Sequence, residues 1–275
     1  MEITIQEGAQ LGAGNWARVY KGTFRGRPVA IKKATKEDSE LKREAGILQR
    51  LNDEHVVRLE GTCCKNGDFL VVLELCDRGS LDTVVQKDRQ SLHSLRRWSM
   101  AVRICQGVCY IHDMRVFHGD LKLTNVVVAM DYRCKLCDFN LSKVIPQGQE
   151  SFQARGGTKL YTAPEILKHK PATLSADIYG LGFCLFELLN LEDYAALLKS
   201  MGGHSLLRLV TSGKQRVDLD QWQAPFQALQ TVVDQCLEYN PDQRPTGPEV
   251  LACLESLELD KEELSCAAGG PARQP

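Results

Sequence analysis

Several features that would point directly to a function are missing from this chain. Charge of one sign is the first: 34 Lys and Arg face 35 Asp and Glu over 275 residues, leaving a formal net charge of −1. A basic stripe of the kind that binds nucleic acid or an anionic membrane is therefore missing at the level of the whole chain, and neither partner is expected; local basic clusters stay compatible with this balance. A long apolar run is the second. The most apolar stretch, Leu181-Gly182-Phe183-Cys184-Leu185-Phe186-Glu187-Leu188-Leu189, falls well short of the ~18 residues that suggest a membrane span, and it reads as a buried helix. The start, Met1 to Glu7, is acidic and alternates apolar with polar residues, so it lacks the basic flank and apolar core of a secretory signal and reads as a strand. Cysteine is plentiful, at 11 residues, but paired metal-ligand spacing is not. Cys134-Lys135-Leu136-Cys137 matches CxxC without a second pair or a His cluster at zinc-finger spacing. These thiols read as reduced and structural, in a cytosolic or nuclear protein. Cys105 and Cys109, four apart on an expected helix, read as core packing. No internal repeat is found.

What is present is globular. With 43% apolar and 25% charged residues, the chain can bury a sizeable core and is not a coiled coil, a collagen or a disordered polymer. Its length allows one large domain, two smaller ones, or two lobes of one domain. Residues 3–33 alternate and carry glycines at turn positions, which predicts three successive antiparallel strands. Glu37 to Leu51 reads as a helix, with Leu41, Ala45, Leu48 and Leu51 at helical spacing. Val56–Leu59 and Phe69–Leu75 read as two more strands. From Ser80 the pattern turns mainly helical, over 80–88, 92–114, 177–190, 204–213 and 224–238, interrupted by a short strand pair at 126–137. Residues 261–275, with Ala267-Ala268-Gly269-Gly270-Pro271, have little to bury and read as a loose tail.

Three local patterns suggest phosphate chemistry, each weak alone. Gly12-Ala13-Gly14-Asn15-Trp16-Ala17-Arg18-Val19 is a Gly-rich turn between two strands, where missing side chains let backbone N–H groups approach phosphate oxygens. An ordinary hairpin reads the same way, and no helix follows it as a dinucleotide fingerprint requires. Val29-Ala30-Ile31-Lys32 puts a Lys on an apolar strand, where it could grip two phosphates or simply be solvated. Glu44 on the next helix could pair with Lys32 or face water.

The decisive stretch is His118-Gly119-Asp120-Leu121-Lys122-Leu123-Thr124-Asn125, followed after a short strand pair by Asp138-Phe139-Asn140. With Ala163-Pro164-Glu165 and Arg244 behind them, these segments resemble, in order and over nearly the whole chain, the eukaryotic protein kinase family. The resemblance implies an α+β, bilobal protein kinase fold: a small antiparallel β lobe with one main helix over residues 1–76, and a larger, mainly helical lobe over 77–260. It implies transfer of the γ-phosphate of ATP to protein hydroxyls with Mg²⁺ as cofactor. By that resemblance Asp120 would orient the acceptor hydroxyl and Lys122 would face the γ-phosphate, while Asn125 and Asp138 would hold Mg²⁺. Lys32, fixed by Glu44, would hold the α- and β-phosphates beneath the backbone of Gly12, Gly14 and Ala17. Leu73-Glu74-Leu75-Cys76 looks like the hinge, with Leu73 as gatekeeper and Glu74 and Cys76 beside adenine; Val19, Ala30 and Val127 would sandwich the ring. Thr158 would hydrogen-bond near Asp120 and Lys122. Glu165 and Arg244 resemble the family's buried ion pair, and Asp177 the residue that braces the catalytic loop.

Lys122 two residues after Asp120, together with Thr158 in Gly-Thr-x-x-Tyr-x-Ala-Pro-Glu, is similar to serine/threonine enzymes rather than tyrosine kinases, so protein Ser/Thr hydroxyls are the implied acceptors. Tyr20 to Gly26 and Arg78 to Leu81 resemble the tyrosine-kinase-like group, and Gly156-Gly157-Thr158 with Ala176 to Tyr179 resembles the Mos kinases. Two positions depart from the family. Gly119 stands where many kinases carry an Arg that reads a phosphorylated activation loop, which implies that this switch is absent. Asn140 stands where Gly is usual; if that position needs positive φ, Asn is the least costly substitute. The alternative to an active enzyme is a pseudokinase that binds nucleotide and acts as an allosteric scaffold. The chain reads as a bare catalytic domain of undetermined oligomeric state, and Cys137, beside Asp138, as a structural thiol.

Overall fold

The computed structural model describes residues 3–13, 17–35, 38–191, 222 and 224–257. Five strands, β1 (Ile3–Ala13), β2 (Ala17–Phe24), β3 (Arg27–Ala34), β4 (Leu59–Lys65) and β5 (Asp68–Glu74), form an antiparallel sheet in the order β1-β2-β3-β5-β4. The two-residue period of the strands divides their side chains between two cores. Val29 and Ile31 of β3, with Leu70 and Val72 of β5, join Ile3 and Phe24 in a small cluster on one face. Val71 and Leu73 turn to the other face, toward the main core and helix α1 (Ser39–Leu48). Ala30 and Lys32 alternate with the residues of the small cluster, so β3 presents them to that second face.

The rest is mainly helical: α2 (Leu81–Lys87), α3 (Ser94–Asp113), α4 (Pro164–Leu167), α5 (Ser175–Asn190), α6 (Gln230–Cys236) and α7 (Gly247–Glu255). Two small ladders accompany them. One pairs β6 (Val116–Phe117) with β9 (Lys143–Val144), and the other pairs β7 (Val126–Val128) with β8 (Cys134–Leu136). Helix α5 is buried from Ala176 to Asn190, as its apolar run requires. Its Gly180 lies against Leu121, where an added Cβ would be 3.1 Å from the Leu121 carbonyl oxygen, so α5 packs directly under the loop that carries Asp120. No helix among the described residues is long and apolar enough to cross a membrane.

Most predicted elements appear within a few residues of their expected bounds, and the differences have identifiable causes. Val56 and Val57 do not open a sheet strand. They are buried in the main core, and the backbone there pairs with β8 instead, with Val57 N–H donating to Leu136 O at 2.9 Å and Leu136 N–H to His55 O at 2.7 Å. The sheet strand begins only at Leu59. The helix expected at 224–238 divides into a 3-10 turn, Phe226–Leu229, and α6. Helix α7 was not anticipated, although Thr246 and Glu249 form a capping box that the sequence displays. The helix expected at 204–213 and the tail at 261–275 lie outside the described residues.

Candidate active site

Helix α1 buries Leu41, Ala45 and Leu48 along one stripe, and Glu44 falls within that stripe at 1% exposure. A carboxylate so placed cannot be solvated, so it requires a partner. Lys32 supplies it: Nζ is 2.8 Å from Oε1 and 2.7 Å from Oε2 of Glu44. The same ammonium donates to Asp138 Oδ1 at 2.6 Å. Burial works against the Lys32 charge, but the carboxylates of Glu44 and Asp138 outweigh it and hold its pKa above the ordinary lysine value. Phe139 N–H donates to Glu44 Oε1 at 3.2 Å, and the Phe139 ring is buried with its centroid 4.8 Å from that of His118. These contacts fix the sheet, α1 and the segment after β8 in one arrangement.

The second cluster surrounds Asp120. Lys122 Nζ lies 2.6 Å from Asp120 Oδ2 and donates to Thr158 Oγ1 at 2.6 Å. Thr158 N–H donates to Asp120 Oδ1 at 2.8 Å, and Asn125 Nδ2 donates to Asp120 Oδ2 at 2.9 Å and to its backbone oxygen at 2.8 Å. Burial works against the Asp120 charge, yet Lys122 and the Thr158 N–H outweigh it, and the carboxyl titrates below its ordinary value. Beneath the loop, Asp177 accepts from the backbone N–H of His118 at 2.8 Å and of Gly119 at 2.9 Å. Glu165 and Arg244 meet in a bidentate pair at 2.7 and 2.8 Å, with Arg244 fully enclosed.

Between the sheet and the helices lies a cleft of about 800 Å³. Gly12, Ala17, Val19, Ala30, Lys32, Glu44, Leu73, Glu74, Cys76, Lys122, Asn125, Val127 and Asp138 all line it. Asp120 and Thr158 are joined to it through Lys122 and Asn125. Gly14 lies outside the described residues. Glu74 reaches the cleft with its backbone, since its carboxylate takes Lys135 at 2.9 Å and the Arg58 N–H at 2.7 Å. Asn125 spends its amide N–H₂ on Asp120 and leaves its carbonyl oxygen, and Asp138 keeps a partly exposed carboxylate. An amide oxygen beside a carboxylate suits a hard divalent cation such as Mg²⁺. The CxxC cysteines have no such setting: among the described residues no group of three His, Cys, Asp or Glu is placed to hold a metal ion. Burial raises the thiol pKa of Cys134 and Cys137, as it does that of Cys76, which is pushed up to about 12.

At both departures from the family pattern, the backbone conformation is informative. Gly119 has φ +85°, and a Cβ there would lie 3.0 Å from the Phe117 ring and 3.1 Å from Leu141 O, so a side-chain-bearing residue would be strained. Asn140 sits within a 3-10 turn (Phe139–Leu141) and outside the left-handed region; the positive φ, +64°, falls on Asp138 instead. The condition attached to Asn140 therefore does not arise. Gly157 was overlooked in the sequence. An added Cβ would stand 2.5 Å from Asp120 Oδ1 and 2.7 Å from Gly119 O, so the catalytic-loop carboxylate occupies the space a side chain would need. Arg43 was also missed; it donates to the backbone oxygen of Asn140 and pairs with Glu40 at 2.6 Å.

A two-part fold whose cleft holds an ion-paired lysine and, joined to it through Lys122 and Asn125, a lysine-bridged aspartate has the architecture of the protein kinase class. The comparisons agree, and the chain belongs to the protein kinase domain family, whose model matches residues 5–254. It is 35% identical over 273 residues to the probable serine/threonine-protein kinase drkC of Dictyostelium discoideum, covering 93% of this chain and 35% of that protein. To the dual specificity protein kinase shkD of the same organism it is 31% identical, covering 91% of this chain and 34% of the relative. To the serine/threonine-protein kinase CTR1 of Arabidopsis thaliana it is 28% identical, covering 93% and 32%. The chain spans about a third of the length of these curated relatives.

Proposed function

We propose that this chain is an active kinase that transfers the γ-phosphate of ATP to Ser and Thr hydroxyls of proteins. The observation that carries the reading is that Lys32 and Lys122, each held by acidic partners, line one cleft. Lys32 would hold the α- and β-phosphates, its ammonium kept charged and aimed by Glu44 and Asp138. Val19, Ala30 and Val127 would sandwich adenine with Leu73 as gatekeeper, the backbone at Glu74 and Cys76 would hydrogen-bond its edge, and the backbone around Gly12, Gly14 and Ala17 would cover the phosphates. Asp120 would orient the acceptor hydroxyl and take up its proton, while Lys122 would turn from Asp120 toward the γ-phosphate. Asn125 and Asp138 would hold Mg²⁺, which when bound neutralises the phosphate oxygens. Hydroxyl acceptors of the Ser/Thr type are favoured because Thr158 and Lys122 narrow the space around Asp120.

We infer further that loop phosphorylation is not needed. Gly119 offers no cation to read a phosphate, and its backbone conformation disfavours one. Helix α1 is held without it: Glu40 accepts from Arg43 at 2.6 Å and from Arg155 of the loop segment at 3.1 Å, and Arg43 reaches Asn140 O.

The test is transfer of labelled γ-phosphate from Mg·ATP to a general acceptor protein, for wild type, Asp120→Asn and Lys32→Met, followed by phosphoamino-acid analysis. Label on Ser or Thr that both substitutions abolish is the expected result. Folded wild type that binds ATP without transfer would establish the scaffold reading instead. The cell compartment we propose is the cytosol or nucleus, on the evidence of cysteines read as reduced thiols; fractionation of tagged protein tests it.

A further inference from the structure

The chain is electrically balanced, but the segment that follows the catalytic centre is not. Between Leu141 and Ala172 there are five basic residues, Lys143, Arg155, Lys159, Lys168 and Lys170, and two acidic ones, Glu150 and Glu165. Glu165 is consumed by Arg244, and Arg155 by Glu40. Lys143, Lys159, Lys168 and Lys170 are all exposed, and none has an ion-pair partner among the described residues. Against these four ammonium groups stands one exposed carboxylate, Glu150, which leaves the segment a surplus of three positive charges on a chain of net charge −1, and such a surplus attracts an external anion.

Their positions say where that charge would sit. Tyr161 N–H donates to Thr158 O at 2.9 Å, closing a turn that displays Lys159 at its corner. Thr158 itself touches both Asp120 and Lys122. Lys159 is exposed and follows Thr158 directly, so it stands at the rim of the place where the acceptor would lie. Farther out, the Lys143 ammonium lies 5.4 Å from the centroid of the Phe152 ring, and Phe152 pairs with Ala172, two residues beyond Lys170. The Phe152–Ala172 bridge thus brings the segments that carry Lys143 and Lys170 together, while Lys168 turns to the Tyr239 ring, 5.0 Å from its centroid.

We propose that this basic segment selects acceptors flanked by anionic residues, either carboxylates or phosphorylated side chains, with Lys159 as the nearest determinant and Lys143 and Lys170 as outer ones. The proposal rests on the kinase reading for its placement of the acceptor. The step itself is unchanged: the acceptor oxygen bonds to the γ-phosphorus, the bond to ADP breaks, and the hydroxyl proton passes to Asp120.

The experiment compares three peptides that share one central Ser and are flanked by Ala, Glu or phosphoserine, with a fourth, Lys-flanked peptide for the charge-reversal variant, all read as kcat/KM. The Glu and phosphoserine peptides are expected to exceed the Ala peptide by about tenfold at low ionic strength, with the gap closing at ~0.5 M salt. The Glu and phosphoserine arms tell which anion is preferred. Lys159→Glu with Lys170→Glu should invert the order in favour of a Lys-flanked peptide; Lys159→Ala serves if the double variant does not fold. In parallel, fluorescence anisotropy with acceptor-free peptides (Ser→Ala) and a non-hydrolysable ATP analogue measures binding alone. Tighter binding of the acidic peptide without any transfer would sustain the surface and reject the kinase reading. Equal binding and equal kcat/KM across the three peptides would overturn the proposal, as would displacement of the acidic peptide by phosphatidylserine vesicles at equal anionic charge.

Discussion

Replacing Gly157 by Ala tests the placement of Asp120 with a single methyl group. The added Cβ begins 2.5 Å from Asp120 Oδ1, whereas ordinary van der Waals contact starts at 3.4 Å, so the carboxylate or the segment must yield by about 0.9 Å. The oxygen displaced is the one that accepts the Thr158 N–H at 2.8 Å. Loss of a hydrogen bond to a charged acceptor costs about 1.5–3 kcal/mol, and a 1 Å misplacement at a reacting centre costs on the order of 100-fold in rate. The nucleotide cleft does not include Gly157 among its lining residues. Steady-state kinetics should therefore show kcat reduced about 100-fold with KM for ATP within about twofold of wild type. Overpacking of about 1–3 kcal/mol would lower Tm by a few degrees, leaving folded protein to assay. A variant that keeps wild-type kcat, or that loses nucleotide binding together with turnover, would refute the claim that Gly157 is sized to the carboxylate.

Arg244→Ala should destabilise the fold by about 3–5 kcal/mol, since it strands Glu165 in a buried site; thermal unfolding of the double Glu165→Ala, Arg244→Ala variant should show a loss smaller than the sum of the singles. Asp120 has a folded pKa below its unfolded value of about 3.9, so the stability it contributes is present above that pH and is lost as pH falls through the lower folded value. Lys122→Met removes the cation that holds the value down and should move the loss to higher pH, a shift that urea unfolding between about pH 3 and pH 5 would detect or exclude. Alkylation with iodoacetamide near neutral pH, read by mass spectrometry, should label the exposed Cys64 and Cys253 first. Burial keeps Cys76, Cys134 and Cys137 protonated, and rapid modification of Cys137 would contradict that. Ser151→Ala should leave transfer intact; its loss would show that loop phosphorylation matters after all.

Much of the site was legible because its residues lie on regular elements whose period fixes where they face. Lys32 follows from strand alternation, and Glu44 from the same helical spacing that buries Leu41 and Leu48. Asp120, Lys122 and Asn125 lie within six residues and Asp138 follows just after the β7–β8 ladder, so the resemblance that implied their roles could be read along one short stretch of chain. What escaped notice depends on approach through space. Gly157 is 37 positions from Asp120, and nothing in its neighbourhood along the chain says that a carboxylate will occupy its side-chain position. The positive φ at Asp138 has no sign in the sequence, and the family's Gly at position 140 raises that question at the wrong residue, where this chain makes a 3-10 turn. Val56 and Val57 have the composition of a sheet strand, and only the presence of β8 shows which backbone they join.

That last segment bears on how the two lobes would respond to a cut. Residues 52–57 precede the sheet strands β4 and β5, yet they are embedded in the helical body: Asn52 N–H donates to the Tyr110 hydroxyl at 2.8 Å, the His55 carbonyl and the Val57 N–H both bond to Leu136, and a Cβ on Gly107 would come within 3.1 Å of His55 O. The chain therefore crosses between lobes more than once, and its covalent connection after Glu74 is not the sole attachment. Fragments separated by proteolysis near Asp77 should stay together through a native gel, and the two halves expressed apart should find one another by the same short stretch of backbone.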